Sequence, residues 1–167
     1  AFNTQLGAAG GAVAALLISW LVTGKADIPT ILNGMLAGLV AITASCAFVE
    51  TWAAIIIGII GGMVTTLSSG WFERMKIDDP ISALSVHGVA GIWGTVSTGF
   101  FATPALAEQV GVGTGGLFYT GSLEQLWVQV YGVTAAGLYA FAVSFALLFM
   151  MKVWFGLRVT EEEEKVG

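Results

Sequence analysis

Long apolar runs separated by short polar connections dominate the pattern of this chain. Five such runs cover residues 6–24, 31–49, 53–72, 81–102 and 126–155. A helix needs about 20 apolar residues to cross a hydrocarbon core of roughly 30 Å. Helix-breaking and charged residues occupy the connections "GKADIPT", "ETW" and "RMKIDDP". The pattern therefore predicts five membrane spans within residues 1–155 and a tail at 156–167.

Helices fit these runs better than strands do. A membrane-spanning strand is about 10 residues long and alternates apolar with polar positions, whereas the runs are longer and do not alternate. The predicted fold class is therefore all-α, a polytopic transmembrane helix bundle. The fifth run is long enough to tilt or to project beyond the bilayer. We expect the glycine-rich connection at 103–125 to form a cap at the surface.

Composition supports an integral membrane protein and excludes several other classes. The chain is 56% hydrophobic and 10% charged, whereas a soluble domain is about 25% charged. The net charge of −5 includes four glutamates at 161–164, and no basic patch for nucleic acid is present. A lone cysteine, Cys46, excludes a disulfide framework. The first apolar run lacks a basic leader, so we expect a processed or truncated start rather than a signal peptide.

The basic residues predict the orientation of the bundle. With five spans they all fall on one side: Lys25, Arg74, Lys76, Lys152, Arg158 and Lys165. The opposite side carries only the acids Glu50, Glu108 and Glu124. The positive-inside rule then places the N-terminus of this chain outside and its C-terminus in the cytoplasm, as expected in a plasma or inner membrane.

The fourth run begins with the segment "DDPISALSVHGVAGIWGT" at residues 78–95. Asp79 followed by Pro80 predicts a helix start, because the carboxylate can accept from free backbone N–H groups. Proline suits the first helical position, where its missing N–H costs nothing. We therefore assign Asp79 and Pro80 a structural, capping role; the alternative for Asp78 and Asp79 is a direct role in substrate handling.

His87 is the only histidine of the chain, and the predicted helix places it about 10 Å beyond Pro80, within the hydrocarbon core. An ionisable group there normally faces the bundle interior, a partner or a pathway. A neutral imidazole has one donor and one acceptor nitrogen, so it could line a path for a small solute or relay a proton. Alternatively, it joins two helices by a hydrogen bond. One histidine and Cys46 do not make a zinc site, so no metal is expected.

Glycines recur after the histidine in steps of three, at Gly88, Gly91 and Gly94. Small residues at this spacing form a stripe along a helix, where a neighbouring backbone can approach closely. We therefore expect close helix packing at these positions.

The segment at 78–95 closely resembles the signature of the Amt/Mep/Rh ammonium transporters, specifically the Amt branch. Three further stretches are similar to that family: "FNTQLGAAGGAVAALL", "NGMLAGLVAITASCAFVETWAAIIIGIIGG" and "GLRVTEEEE". The resemblance covers essentially the whole chain. It implies a homotrimer of eleven-helix subunits, each with its own pore, of which this chain holds the last five helices. The N-terminal half of the fold, with the gate and the outer recruitment site, would lie outside this chain.

The resemblance also implies roles for individual residues. His87 matches the second of the paired pore histidines, and Ala83, one turn earlier, would line the path beside it. The other histidine belongs to an earlier helix. Asp79 matches the structural aspartate at the helix start.

The expected function is ammonium or ammonia transport through a hydrophobic pore, without enzymatic chemistry or a cofactor. Two alternatives are an ammonium sensor of the same fold and a non-transporting fragment or assembly subunit. The tail at 156–164 would lie at the cytoplasmic face, where a PII-type regulator is a candidate partner. Glu161 to Glu164 could equally form a solvated tail.

Overall fold

The computed structural model describes residues 1–159 and 161–166, and every regular element within them is helical. The α-helices are α1 Phe2–Thr23, α2 Ile28–Thr43, α3 Thr51–Arg74, α4 Ala90–Phe101, α5 Pro104–Val110, α6 Leu117–Thr120, α7 Glu124–Trp154 and α8 Glu161–Val166. A π-helical turn, Leu84–Val89, leads directly into α4. The predicted all-α class is confirmed. The predicted tail at 156–167 is described only in part, because Thr160 and Gly167 lie outside the described residues.

Each predicted run contains a helix, although the helix lengths differ. Among the described residues, α1, α3 and α7 are individually long and apolar enough to cross a membrane. In contrast, α2 has only 16 residues. The fourth run is divided between the π turn and the 12 residues of α4. A crossing at α2 and at the fourth run stays a prediction.

The end of α2 comes earlier than the predicted boundary at residue 49, because the chain turns tightly after Thr43. The Cys46 N–H donates to the Ile42 carbonyl at 2.8 Å. The Asn3 amide nitrogen donates to the carbonyls of Cys46 and Val49, at 3.0 and 2.9 Å. The start of α1 thereby holds the irregular backbone that follows α2.

The long connection at 103–125 contains α5 and α6 and is tied back to the bundle. The Thr103 N–H donates to the Phe48 carbonyl at 2.8 Å, and the Gly116 N–H donates to the Ala102 carbonyl at 2.7 Å. Within the connection, the Thr114 N–H donates to the buried Gln125 side chain at 3.0 Å. This segment, expected as a cap at the surface, is therefore an ordered part of the unit formed by residues 1–130.

Glycine backbones bring α1, α2 and α3 into direct contact. A methyl group at Gly11 of α1 would lie 2.9 Å from the Gly38 Cα atom of α2. A methyl group at Gly62 of α3 would lie 2.8 Å from the Gly11 Cα atom. Gly58 of α3 meets Gly7 of α1 in the same way, at 2.6 Å. Only hydrogen fits at these positions, so the three backbones touch along a shared seam.

The fourth helix joins this seam through a polar and an apolar contact. The Trp93 indole N–H donates to the Ile57 carbonyl of α3 at 3.0 Å. Phe101, at the end of α4, belongs to a buried cluster on α2, α3 and the turn after α2. The cluster consists of Ala41, Ile42, Val49, Ala53, Ala54, Ile57 and Phe101.

Residues 131–167 form a second unit. It contains the rest of α7, where Phe141, Phe145 and Phe149 stack in succession with ring centroids 6.1 and 6.4 Å apart. The side chains described between residues 134 and 159 are all exposed. An apolar surface of this kind suits lipid or further protein.

The glycine seam predicts a sharp contrast between two glycines of α3. Gly62→Ala should lower the free energy of unfolding by about 1–3 kcal/mol, because the new methyl group overlaps the Gly11 backbone. Gly70→Ala is the matched control, since nothing lies within 4 Å of its Cβ position; it should be neutral or stabilising by up to about 1 kcal/mol. Unfolding in detergent measures both, and equal stability of the two variants would contradict the seam.

Candidate functional site

The start of the histidine-bearing helix is organised by the Asp79 carboxylate. Its oxygens accept from the Leu84 N–H at 3.0 Å, the Ser85 N–H at 3.1 Å and the Ser85 hydroxyl at 2.9 Å. Asp79 therefore satisfies backbone donors that have no partner within the helix. As predicted, the Asp79 carboxylate accepts from free backbone N–H groups near the start of the helix.

The prediction that Pro80 occupies the first helical position is wrong. Pro80 lies in a turn, and helical structure begins only at Ala83. The reason is local: the Ser82 N–H donates to the Asp79 carbonyl at 3.0 Å, and Ser82 has a left-handed φ of 55°. The chain completes this turn before it enters the helix, so the carboxylate reaches residues five and six positions ahead.

A π turn follows, in which the Ala90 N–H donates to the Ser85 carbonyl five residues earlier. Such turns are rare and are frequent at functional sites. The Ser85 carbonyl also accepts from the Thr65 hydroxyl of α3 at 3.2 Å. One turn along α3, the Ser69 and Ser82 hydroxyls lie 3.1 Å apart and share a hydrogen bond.

His87 lies within this π turn, and its side chain is exposed on the surface of the described chain. The imidazole makes no hydrogen bond to any other residue that the structure describes. Ala83, four residues earlier, is exposed as well, and residues four apart on a helix lie on the same face. The two residues that we expected to line a path thus occupy an open face, available to groups outside this chain.

The three predicted packing glycines have different surroundings. A methyl group at Gly94 would lie 2.8 Å from the Ala41 Cα atom of α2, so two helix backbones touch there. At Gly91 the nearest atom is a Val40 methyl group at an ordinary 3.7 Å, and at Gly88 it is a Leu84 methyl group of the same segment. For Gly88 and Gly91, close packing stays a prediction about helices outside this chain.

A cavity of about 720 Å³ opens beside the helix start, between α1, α2 and α3. Its lining combines several hydroxyl side chains with two basic residues, Lys25 and Arg74, and two acidic residues, Asp27 and Glu73. Thr65 and Ser82, which hold the π turn, are part of its wall. Sequence reasoning missed these hydroxyls, although Thr65 and Ser69 stand four residues apart on α3, the spacing that places two side chains on one face.

The described residues contain no group of three or more His, Cys, Asp or Glu side chains that could hold a metal ion. His87 can offer hydrogen bonds, because a neutral imidazole carries one donor and one acceptor nitrogen. The carboxylate nearest along the chain, Asp79, is occupied by its own helix start.

The ionisation of Asp79 is tuned by this position. Partial burial alone would raise the pKa of its carboxyl group, but the hydrogen bonds from Leu84, Ser85 and Ala83 outweigh burial and hold the pKa below its ordinary value. The carboxylate thus stays ionised under ordinary conditions, where a charged acceptor forms the strongest hydrogen bonds.

Comparisons with known proteins agree along the whole chain. The sequence profile of the Ammonium Transporter Family matches residues 1–167. The ammonium transporter Amt2 of Archaeoglobus fulgidus is 40% identical over 100% of this chain and 36% of its own length. The ammonium transporter of Bacillus subtilis is 38% identical over 99% of this chain and 40% of its own length.

Solved structures show the same relationship. One described as a Sensor Amt Protein has a TM-score of 0.86 and 36% identity, over 99% of this chain and 39% of that chain. The Mep2 structure from Saccharomyces cerevisiae has a TM-score of 0.87 and 30% identity, over 96% and 37%. The resemblance seen in the sequence is confirmed, and this chain spans less than half the length of each relative.

The Asp79 cap predicts a stability effect that depends on pH. Asp79→Ala should lower the free energy of unfolding at pH 7 by about 1 kcal/mol, the usual cost of losing a helix cap. Because the folded-state pKa is lowered, this stabilisation is present above the unfolded-state pKa of about 3.9 and is lost as the pH falls through the folded-state value.

The measurement is denaturant unfolding of the parent and the variant in detergent, from neutral to acidic pH. Asp78→Ala is the control, because Asp78 is exposed and accepts no hydrogen bond from the described residues. A gap between parent and Asp79→Ala that stays constant on acidification would contradict a role for the ionised carboxylate.

Proposed function

The chain belongs to the ammonium transporter family, and on that basis we propose that it forms part of a pore through which ammonium or ammonia crosses a membrane. It is an integral membrane protein built as a helix bundle. One observation carries the proposal: an imidazole without a partner among the described residues stands on an open face of the π turn that leads into α4. Because the relatives are more than twice as long as this chain, further helices of the same fold would cover that face.

The proposed role of His87 is one member of a histidine pair, with the second imidazole supplied by a helix outside this chain. Two neutral imidazoles can hydrogen-bond to each other, since each offers one donor and one acceptor. The wall around them is apolar, with Ala83 and Leu84 exposed beside His87. An isolated cation is costly in such surroundings, so the path favours ammonia, while the imidazoles offer sites for a proton.

A sensor of the same fold is the second candidate, because one similar structure is described as a Sensor Amt Protein. Both functions require ammonium to reach the same site, but only a transporter releases it on the other side. Ammonium binding without net flux in proteoliposomes would favour the sensor. The third alternative, an assembly subunit without transport, would show neither.

Assembly and regulation complete the proposal. The apolar exposed side chains of residues 131–155 suit contacts with lipid or with other subunits of a homotrimer. The tail would lie in the cytoplasm, where a PII-type regulator could reach it. The basic residues support this orientation, since positive charge is retained on the cytoplasmic side.

Replacing His87 tests the pore directly. In the natural open reading frame that contains residues 1–167, His87→Ala should change ammonium conduction or ion selectivity by about tenfold or more, while surface level and assembly stay unchanged. Ammonium-dependent currents in proteoliposomes are the measurement. Thr95→Val is the matched control, because it removes a hydroxyl that donates to the Gly91 carbonyl of the same helical segment. Unchanged transport in His87→Ala at normal surface level would remove His87 from the mechanism.

Site-directed labelling tests the orientation. Glu108 and Lys25 are both exposed and are predicted to lie on opposite sides of the membrane. In a background without other cysteines, Glu108→Cys should react with a membrane-impermeant maleimide on intact cells. Lys25→Cys should react only after the cells are permeabilised. The reverse labelling pattern would invert the proposed topology.

A further inference from the structure

We propose that Thr65 is a positioning residue for His87, acting through the carbonyl of Ser85. Resting on the proposed function, this inference assigns to α3 a share in setting the selectivity of the pore. The link consists of one hydrogen bond, from the Thr65 hydroxyl to the Ser85 carbonyl, two residues before the histidine.

The segment that carries His87 needs support from outside. A π turn is rare compared with an α turn and occurs mostly as a single turn within an α-helix. Here it also follows a residue in the left-handed region, Ser82. Relaxation to an α turn would rotate the residues beyond it by a fraction of a turn. The imidazole would then point in another direction.

Thr65 supplies support where the turn is least accessible to solvent. Thr65 is 1% exposed and Ser85 is fully buried, so the bond between them is shielded from solvent. The Ser85 carbonyl accepts from the Ala90 N–H of the π turn and from the Thr65 hydroxyl. The two donors together hold the carbonyl in the orientation that the π turn requires.

The neighbouring threonine shows that this bond is not the default behaviour of a hydroxyl in a helix. Serine and threonine side chains in helices commonly donate to the carbonyl four residues earlier. Thr66 does so, with its hydroxyl 2.8 Å from the Gly62 carbonyl. Thr65 instead donates across to another element, 20 positions along the chain.

Thr65 also stands on a rigid support. Gly62, three residues earlier on α3, is in backbone contact with Gly11 of α1. Ser69, one turn later on α3, shares a hydrogen bond with Ser82, which lies just before the π turn. The two hydroxyls of α3 therefore hold the chain before and within the π turn, and the glycine seam fixes where they stand.

The experiment compares three variants of the protein that contains residues 1–167. Thr65→Val removes the hydroxyl while keeping the shape, and it should change the ratio of ammonium to methylammonium flux by about fivefold, the scale expected for one hydrogen bond. Thr65→Ser keeps the hydroxyl and should restore the parental ratio. Thr66→Val, the matched control on the same helix, should leave the ratio unchanged.

Flux ratios are taken per correctly inserted molecule, so a loss of folded protein does not alter them. If Thr65→Val does not insert, Thr65→Ala replaces it, with the same expectation. Where His87→Ala alters transport, a parental ratio in the variant without the hydroxyl would overturn the proposal, as would failure of Thr65→Ser to restore the ratio.

A spectroscopic readout separates this proposal from the proposed transport function. The nitrogen-15 signals of His87, identified by their loss in His87→Ala, should shift in Thr65→Val and stay in place in Thr66→Val. If His87→Ala leaves transport unchanged, the transport role of His87 fails, yet a shift would still show that Thr65 positions it. If the signals and the flux ratio are both unchanged in Thr65→Val, positioning fails and the transport role stands.

Discussion

Direct contact between helix backbones is the constraint on which the rest of the first unit depends. Lipid is as apolar as the helices themselves, so burial of apolar surface gives little drive for association, and close van der Waals packing takes its place. Gly11, Gly38 and Gly62 allow three backbones to meet where a single methyl group would not fit. The position of α3 follows from this contact. The hydroxyls that α3 presents to the histidine segment follow from the position of α3.

Three polar side chains on this apolar frame form hydrogen bonds to the segment that leads into the π turn. The Asp79 carboxylate, the Thr65 hydroxyl and the Ser69 hydroxyl each contact one short stretch, residues 82–85. An unsatisfied polar group is costly in hydrocarbon, so these contacts restrict the backbone strongly. The His87 imidazole differs from these groups, because it is exposed and has no hydrogen-bond partner among the described residues.

Sequence patterns predicted much of the fold and part of the site, for physical reasons that differ between the two. Long apolar runs permit only a helical solution in lipid, so the helices and the all-α class could be predicted. A lone histidine in such a run is conspicuous, as is an aspartate before a helix. The register of the helix start could not be predicted, because it depends on the left-handed turn at Ser82. The Thr65 bond could not be predicted either, because it depends on which face of α3 meets the π turn.

The short second helix bears on how the bundle fits its bilayer. At 16 residues α2 is about 24 Å long, below the roughly 30 Å of a hydrocarbon core. In a helix that crosses the bilayer, such a deficit is a hydrophobic mismatch, which commonly forces the lipid to thin. Here the carbonyls of Cys46, Phe48 and Val49, beyond the helix end, accept from Asn3 and Thr103. The protein thus supplies the hydrogen-bond donors for this irregular backbone itself, and these three carbonyls need no water beyond the helix end.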